Sequence, residues 1–283
     1  MSNNSMEQIR SAIGYIEAHL AEKLDLGTVA DAVHYSKYHL HRMFRHTVGM
    51  TLYDYIQRRR LTEAAKWLVF SDRPILDIAL AAGYESQQAF TNVFTAMYKQ
   101  PPNRYRENEK FYPLQLKFDF ERSCGMHQNM ELCARDITAA TQADIPCWME
   151  LVRLVIDGFP HLYEEEYVEV LKDRIDKREA FILKDGRTAI GVLIFSCRTG
   201  SIEFMGTHPL YRNAGIPKAF IAKIREELTK KREISITTYR AGDKADTGHR
   251  RAVMELGFAE AELLVEFGYP TQRFILQGDA HRC

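Results

Sequence analysis

The sequence has little cysteine and no long apolar run. Its five cysteines are scattered and form no CxxC pair; they stand at 124, 133, 147, 197 and 283. An odd and scattered set argues against a disulfide framework or a zinc site and indicates reduced thiols. No apolar stretch approaches the ~20 residues of a membrane span, and the first residues lack the basic-then-apolar pattern of a signal peptide. We therefore expect a cytoplasmic chain with no membrane partner and no metal.

An excess of charge of one sign is also missing, since 38 Lys+Arg balance 38 Asp+Glu among 283 residues. Residues 1–107 carry 13 basic and 11 acidic side chains. Positions 36 to 60, however, contain only one acidic residue, Asp54, and six basic ones, which are Lys37, Arg42, Arg45, Arg58, Arg59 and Arg60. Such a patch suits the phosphates of a nucleic acid. A solvated helix face is the alternative interpretation.

The chain changes its pattern near residue 108. Residues 6–107 repeat apolar side chains at helical spacing, whereas 114–120 alternate and predict a short strand. We predict a helical domain over 1–107, a linker over 108–129 and an α/β domain with a mixed central sheet over 130–283. The predicted strands lie at 131–135, 180–184, 188–197, 201–207, 233–239, 261–267 and 272–277, and the predicted helices lie near 144–157, 164–175, 215–231 and 247–256.

The first half contains an internal repeat. Ser36, Leu40 and Phe44 match residues fifty positions further along, which are Ser86, Phe90 and Phe94. Each copy predicts a short helix, a tight turn and a second helix that opens at an N-capping serine. A rigid helix over 51–70 would join the copies. Two such helices could enter successive major grooves about 34 Å apart.

The outward faces of the two second helices carry side chains that suit base edges. Arg can bond guanine, and Gln or Asn can bond adenine. The predicted DNA-binding residues are Lys37, Tyr38, His41 and Arg42 in the first copy and Gln87, Gln88, Thr91 and Asn92 in the second. An ordinary polar surface is the alternative, which the repeat disfavours.

These motifs resemble the AraC family of bacterial regulators, in the branch that includes MarA and Rob. The resemblance rests on SKYHLHRMF at 36–44, RLTEAA at 60–65, PILDIA at 74–79, GYESQQAF at 83–90 and PPNRYR at 101–106. It implies a tandem helix-turn-helix fold in which the base-reading positions are Tyr38, His41 and Arg42 in the first copy and Gln87, Gln88 and Asn92 in the second. His41 and Asn92 depart from the usual Gln and Arg of that branch, and His34 replaces a common turn glycine. The operator sequence therefore cannot be transferred.

Residues 201–217 predict a strand, a glycine-containing turn and a helix. Backbone amides at a positive helix end can hold a pyrophosphate. The stretch 130–277, with HPLYRNAGI at 208–216 and LGF at 256–258, resembles the GNAT-type N-acetyltransferases. The resemblance implies acetyl-CoA or another acyl-CoA as the cofactor, with Thr207, Arg212, Asn213, Ala214 and Gly215 at its site. Pro217 departs from the family's small residue and removes one donor.

Acetyl transfer needs a base for the amine and commonly an acid for the thiolate. The position where many GNAT relatives carry a tyrosine is Val253 here. Glu203 is a candidate base and Tyr239 a candidate acid. An exposed strand carboxylate and ordinary aromatic packing are the respective alternatives.

Three hypotheses follow for the whole chain. In the first, a transcriptional regulator binds a double-stranded DNA operator, contacts RNA polymerase and senses a small-molecule effector through its GNAT-like domain. In the second, the same chain is also an active N-acetyltransferase. In the third, the second domain is a scaffold for protein contacts. Fold-level analogy does not decide among these hypotheses.

Overall fold

The computed structural model describes residues 3–118, 136–156, 164–227, 233–266 and 268–278. The chain forms two compact units. Within the described residues, the first unit contains seven α-helices, and the second contains a seven-stranded sheet and four α-helices. This confirms the predicted order of a helical region followed by an α/β domain.

The first unit is a tandem of two similar helix pairs around one long helix. Its helices are α1 (Asn3–Ala18), α2 (Leu26–Ala32), α3 (Lys37–Val48), α4 (Leu52–Phe70), α5 (Ile75–Ala81), α6 (Gln87–Tyr98) and α7 (Pro102–Glu107). Ser36 caps α3 by accepting from the His39 amide at 3.2 Å, and Ser86 caps α6 by accepting from the Ala89 amide at 3.1 Å. A cap of this kind satisfies one free N–H of the first turn.

The two copies share their turn conformation and their inward residues. His34 and Gly83 hold equivalent turn positions with φ of 59° and 80°. The sequence therefore correctly indicates that this histidine replaces a turn glycine. The apolar residues that match between the copies are fully buried in both; they are Leu40 and Phe44 in the first copy and Phe90 and Phe94 in the second.

The segment after α7 is not a strand, so the strand predicted at 114–120 is wrong over its described part. The backbone amides of Leu114 and Gln115 both donate to Thr62 Oγ1 at 3.1 Å. Their carbonyls accept from Arg58 at 3.4 Å and from Arg59 at 3.1 Å. A strand takes its hydrogen bonds from a neighbouring strand, whereas side chains of α4 provide the partners here.

We call residues 111–118 the strap. The Tyr112 amide donates to the Tyr105 hydroxyl at 2.9 Å, and the Tyr98 hydroxyl donates to the Tyr112 carbonyl at 3.4 Å. Further along, Phe118 stacks on Tyr55 with 5.6 Å between ring centroids. The described part of the predicted linker thus packs along the first unit, from α6 and α7 to the start of α4. The rest of that linker lies outside the described residues.

The second unit follows the predicted alternation of strands and helices closely. Its helices are α8 (Ile145–Val155), α9 (Glu164–Asp176), α10 (Ile216–Glu227) and α11 (His249–Glu255), and its strands are β1 (Thr138–Ala139), β2 (Ala180–Asp185), β3 (Thr188–Ser196), β4 (Ser201–Thr207), β5 (Ile234–Tyr239), β6 (Ala259–Glu266) and β7 (Tyr269–Leu276). The entry strand predicted at 131–135 lies outside the described residues.

The sheet has the strand order β1-β2-β3-β4-β5-β7-β6. All neighbours are antiparallel except β4 and β5, which are parallel, so the sheet is mixed as predicted. α10 packs on β3 and β4 through Phe220 and Ile224, both fully buried among apolar side chains of the sheet. This packing holds the start of α10 at the end of β4.

Among the residues that the structure describes, none of the helices combines the length and the hydrophobicity of a membrane-spanning segment.

Candidate nucleic-acid interface and candidate cofactor site

The outward face of α3 presents an aromatic ring and a guanidinium together. Tyr38 is 77% exposed, and Arg42, one turn further, places Cζ 5.9 Å from the centroid of the Tyr38 ring. Such a cation–π contact holds a cation over a ring face. His41 beside them is partly exposed. The structure therefore brings Tyr38, His41 and Arg42 together on one face.

Lys37 occupies a different environment at the start of α3. A Cβ added at Gly27 would lie 2.7 Å from Lys37 Nζ, so the ammonium group covers the first turn of α2. The pKa of Asp25, which caps α2, is lowered mainly by the hydrogen bond from the Thr28 amide and to a smaller extent by the charge of Lys37. Lys37 thus stands at the edge of the predicted interface.

The equivalent face of α6 carries amides. Gln87, Gln88 and Asn92 are exposed, and Thr91 is partly buried. Gln88 Nε2 donates to Asn92 Oδ1 at 3.2 Å. All four residues predicted for the second copy therefore lie on α6, and two of them are joined to each other.

The turn between β4 and α10 contains the predicted cofactor residues. Gly215 has φ of 77°, and no atom lies within 4 Å of the place where a Cβ would stand. Among the described residues, no hydrogen-bond acceptor is found for the amides of Gly215, Ile216 and Lys218. Amides of this kind at a helix start can bind an anion. Pro217 between them offers no donor.

The same turn is attached firmly to the sheet. The Tyr211 hydroxyl donates to Asp185 Oδ2 at 2.5 Å. His208 Nδ1 accepts from the Leu210 amide at 3.3 Å. Burial, together with the charge of Arg212, lowers the pKa of His208 to about 4. A neutral His208 therefore supports the turn near neutral pH, a role that sequence reasoning did not assign.

β4 and β5 pair only at their beginnings. Among the described residues, their registered pairs are Ser201 with Ser235 and Ile202 with Ile236. Both strands continue for several residues, to Thr207 and to Tyr239. Unpaired parallel strands leave room between them, and Thr207 lies at the end of β4 that leads into the turn containing Gly215.

The two candidate catalytic residues belong to different side-chain clusters. Arg174 donates to Glu203 Oε1 at 2.7 Å and to Glu179 Oε2 at 2.7 Å. Tyr239 is 9% exposed, and its ring lies 5.9 Å from that of Tyr269. Glu203 is therefore ion-paired, and Tyr239 is packed among aromatic rings.

A helix-turn-helix domain model matches residues 29–108. The regulatory protein SoxS of Escherichia coli (strain K12) is 44% identical over 98 residues, which are 35% of this chain and 92% of SoxS. The chain belongs to the AraC family of helix-turn-helix regulators.

Two further relatives match a smaller share of their own length. The HTH-type regulator YbfP of Bacillus subtilis (strain 168) is 43% identical over 98 residues, and the regulator Rob of Salmonella typhimurium is 42% identical over 103 residues. The matched parts are 33% of YbfP and 36% of Rob, so the chain spans about a third of the length of these relatives. The same matches cover 35% and 36% of this chain, so the AraC-family likeness concerns about a third of it.

Among solved structures, a GNAT-family acetyltransferase from Bacillus cereus ATCC 10987 is 14% identical with a TM-score of 0.40; the match covers 50% of this chain and 95% of that one.

The basic patch predicted between positions 36 and 60 is only partly exposed in this AraC-family domain. Arg58 and Arg59 are 2% and 6% exposed. Arg59 donates to both carboxylate oxygens of Glu17 at 2.8 Å. Arg60 is partly buried and donates through Nε to the Leu20 carbonyl at 2.8 Å. Half of the six basic residues are therefore unavailable to phosphates, and Lys37, Arg42 and Arg45 remain exposed.

Helical spacing was the signal that could have found these buried arginines. Arg58 and Arg59 each lie three or four residues from both Tyr55 and Thr62, which places the four residues on one face of α4. Tyr55 and Thr62 are apolar or small enough to be buried, and all four are buried in the structure. The helical positions of Arg58 and Arg59 therefore indicate the buried face of α4, whereas their charges alone suggest an exposed one.

Proposed function

We propose that this AraC-family regulator reads an asymmetric DNA operator as a monomer by placing α3 and α6 in successive major grooves. The observation that carries the proposal is the pair of equivalent outward faces, one with Tyr38 and Arg42 and the other with Gln88 and Asn92. Recognition helices that contact base edges carry such exposed polar side chains. Because the two faces differ, the two half-sites should differ in sequence.

Selection of duplexes from a random library by the full chain tests this proposal. We expect a selected site with two conserved blocks about one helical turn, roughly 10 base pairs, apart. Arg42→Ala should abolish the preference within one block only. Glu107→Gln, an exposed change at the end of α7, is the control and should leave the site unchanged. A single block, or no sequence preference, would contradict tandem reading.

We further propose that the second unit binds a small anionic molecule of the acyl-CoA class and that this ligand changes DNA binding. The amides of Gly215, Ile216 and Lys218 offer hydrogen bonds to a pyrophosphate at the positive end of α10. Arg212 and Asn213 lie in the same turn and are exposed. The gap between β4 and β5, ending at Thr207, can admit an extended chain. These features support the fit of an acyl-CoA despite Pro217.

Bound acyl-CoA would supply an activated acyl thioester, but the surroundings of Glu203 favour ligand binding over acyl transfer. Glu203 accepts a charge-assisted hydrogen bond from Arg174 at 2.7 Å. A general base needs a free lone pair within reach of the proton that it takes. Arg174 occupies one carboxylate oxygen of Glu203 and ties the side chain to α9, so only the second oxygen could accept a proton. Tyr239 is enclosed by other rings. Active N-acetyl transfer remains the second candidate, supported by the position of Glu203 on the central strand.

Calorimetric titration of acetyl-CoA into the full chain separates these candidates, with thiol release followed in the same solution after a panel of amines is added as acetyl acceptors. We expect binding without steady thiol release. Asn213→Asp, which adds one negative charge without changing size, should weaken binding because it repels the pyrophosphate. Thiol release that Glu203→Gln abolishes would establish the enzyme instead. Absence of any binding would leave the second unit as a protein-contact scaffold.

The link to transcription is part of the same proposal. If acetyl-CoA or another acyl-CoA is the effector, the affinity of the full chain for its selected operator should change when the ligand is added. Contact with RNA polymerase would follow from binding beside a promoter and is tested by co-retention of polymerase on the selected DNA. An operator affinity that is the same with every acyl-CoA would contradict the sensing role.

A further inference from the structure

The second recognition helix carries a preformed pair of amides. Gln88 and Asn92 lie one turn apart on α6, where side chains four residues apart are neighbours. Both are exposed, while Phe90 and Phe94 on the opposite side are fully buried. The burial of these two rings fixes which face of α6 points outward. The packing of α6 therefore fixes its orientation about its own axis, with Gln88 and Asn92 together on the exposed face.

The hydrogen bond between them decides which groups stay available. Gln88 Nε2 donates to Asn92 Oδ1 at 3.2 Å. The carbonyl oxygen of Gln88 remains for a ligand as an acceptor and the amino group of Asn92 as a donor, and Gln88 Nε2 keeps its second N–H. If both amides turned over, the pair would still present one acceptor and one donor. The complementarity of the pair therefore does not depend on the orientation of the amides.

One acceptor beside one donor matches the major-groove edge of adenine. Adenine presents the N6 amino donor and the N7 acceptor, whereas guanine presents two acceptors, O6 and N7. The free oxygen of Gln88 would face the O6 of guanine, and two acceptors cannot share a hydrogen bond. We infer that Gln88 and Asn92 together read one adenine in the second half-site. The inference rests on the proposed tandem reading of DNA.

The first copy shows how the same two positions read a different base. Tyr38 and Arg42 stand fifty residues before Gln88 and Asn92 in the repeat. The Arg42 guanidinium lies over the Tyr38 ring and contains only donors. Two donors match the O6 and N7 of guanine. An aromatic–arginine pair thus specifies guanine where an amide–amide pair specifies adenine.

Asn92→Arg in the full chain is the main test, read by selection from a random duplex library. We expect one position of the second block to change from adenine to guanine, because an arginine presents two donors there. All other positions should keep their preferences. On the wild-type site, replacing this adenine by guanine should weaken binding at least about fivefold. Both residues are exposed, so the melting temperature should not change.

Gln88→Ala and Asn92→Ala test whether the two amides act as a unit. Each should weaken the adenine preference at the same base pair, and the double variant should add little to either single change. Glu107→Gln is again the control. Effects of the two variants at two different base pairs, or an equal loss of affinity for all sequences, would overturn the proposal.

The outcomes also separate this inference from the function on which it rests. If the selected site depends on Arg42 in one block but on neither Gln88 nor Asn92 in the other, the inference that the two amides read an adenine is wrong. Tandem reading of DNA would still stand. A wild-type chain that selects no sequence at all would overturn both.

Discussion

In the first copy of the repeat, Arg42 lies over the ring of Tyr38; at the same two positions of the second copy, Gln88 is hydrogen-bonded to Asn92. Beneath these faces the copies are alike, with Phe44 and Phe94 fully buried at equivalent positions. Burial constrains the inner residues of both copies equally, because each must fill a close-packed core. The outer residues contact solvent and each other in the free protein and fill no core, so they can diverge toward different bases.

The largest effects on stability should come from removing the equivalent core rings of the two copies, Phe44 and Phe94. Phe44→Ala and Phe94→Ala should each lower the free energy of unfolding by about 3–5 kcal/mol, because each leaves a cavity. Phe94→Ala should cost more, since Phe94 lies against Phe90, Tyr98 and Tyr105 whereas Phe44 lies against Tyr55. Denaturant unfolding of the full chain measures both. An effect below about 1 kcal/mol for either ring would break the equivalence of the copies.

The next largest effect should come from the buried ion pair beneath the first copy. Arg59→Met leaves the carboxylate of Glu17 without its guanidinium partner in a largely buried position, with the Tyr55 hydroxyl as a remaining donor at 2.8 Å. We expect a loss of about 3 kcal/mol in the free energy of unfolding. Arg45→Met, at an exposed position of α3, is the matched control and should stay within about 0.5 kcal/mol. Equal effects would contradict the structural role of Arg59.

A smaller loss is expected when the strap is loosened. Thr62→Val keeps the shape of the side chain but removes the acceptor for the amides of Leu114 and Gln115. Two buried N–H groups then lack a partner, and we expect a cost of about 2 kcal/mol together with faster hydrogen exchange at both amides. Thr95→Val, at a partly buried position of α6, controls for the substitution itself. Unchanged exchange at 114 and 115 would count against the strap.

The smallest effects concern the two turns. Gly83→Ala should cost about 1–2 kcal/mol, because a Cβ at φ of 80° is strained and would stand 3.0 Å from Arg60 Cζ. His34→Gly should change the free energy of unfolding by no more than about 0.5 kcal/mol, since relief of the left-handed conformation is offset by the greater flexibility of the unfolded chain. Thermal melts of the two variants compare the turns directly. A large loss for His34→Gly would mean that the imidazole itself stabilises its turn.

Much of the fold could be predicted because each pattern reports a local constraint. The apolar spacing of Leu40 and Phe44 and the N-capping serines predicted α3 and α6 correctly. The strand-like apolar runs predicted β3 and β4 within one residue. The strap could not be predicted, because alternation shows that a backbone is extended but does not show whether a strand or a side chain accepts its hydrogen bonds.

The candidate site divides in the same way. The outward positions of α3 and α6 followed from the inward ones, since a helix buries one face and exposes the other. The contact between Gln88 and Asn92, the ion pair of Glu203 with Arg174 and the burial of His208 were not predicted. Each depends on a side-chain orientation or on a partner distant in the chain.

The sequence by itself determined the doubled helix-turn-helix pattern, the change to an α/β unit and the residue types available on each recognition helix, because all of these follow from spacing along the chain. Only the tertiary structure decided which of the six basic residues stay exposed, that Thr62, Arg58 and Arg59 bind the strap, and that Glu203 is held by Arg174. The physical reason is that burial and pairing are set by groups brought together from distant parts of the chain, so no local pattern contains them.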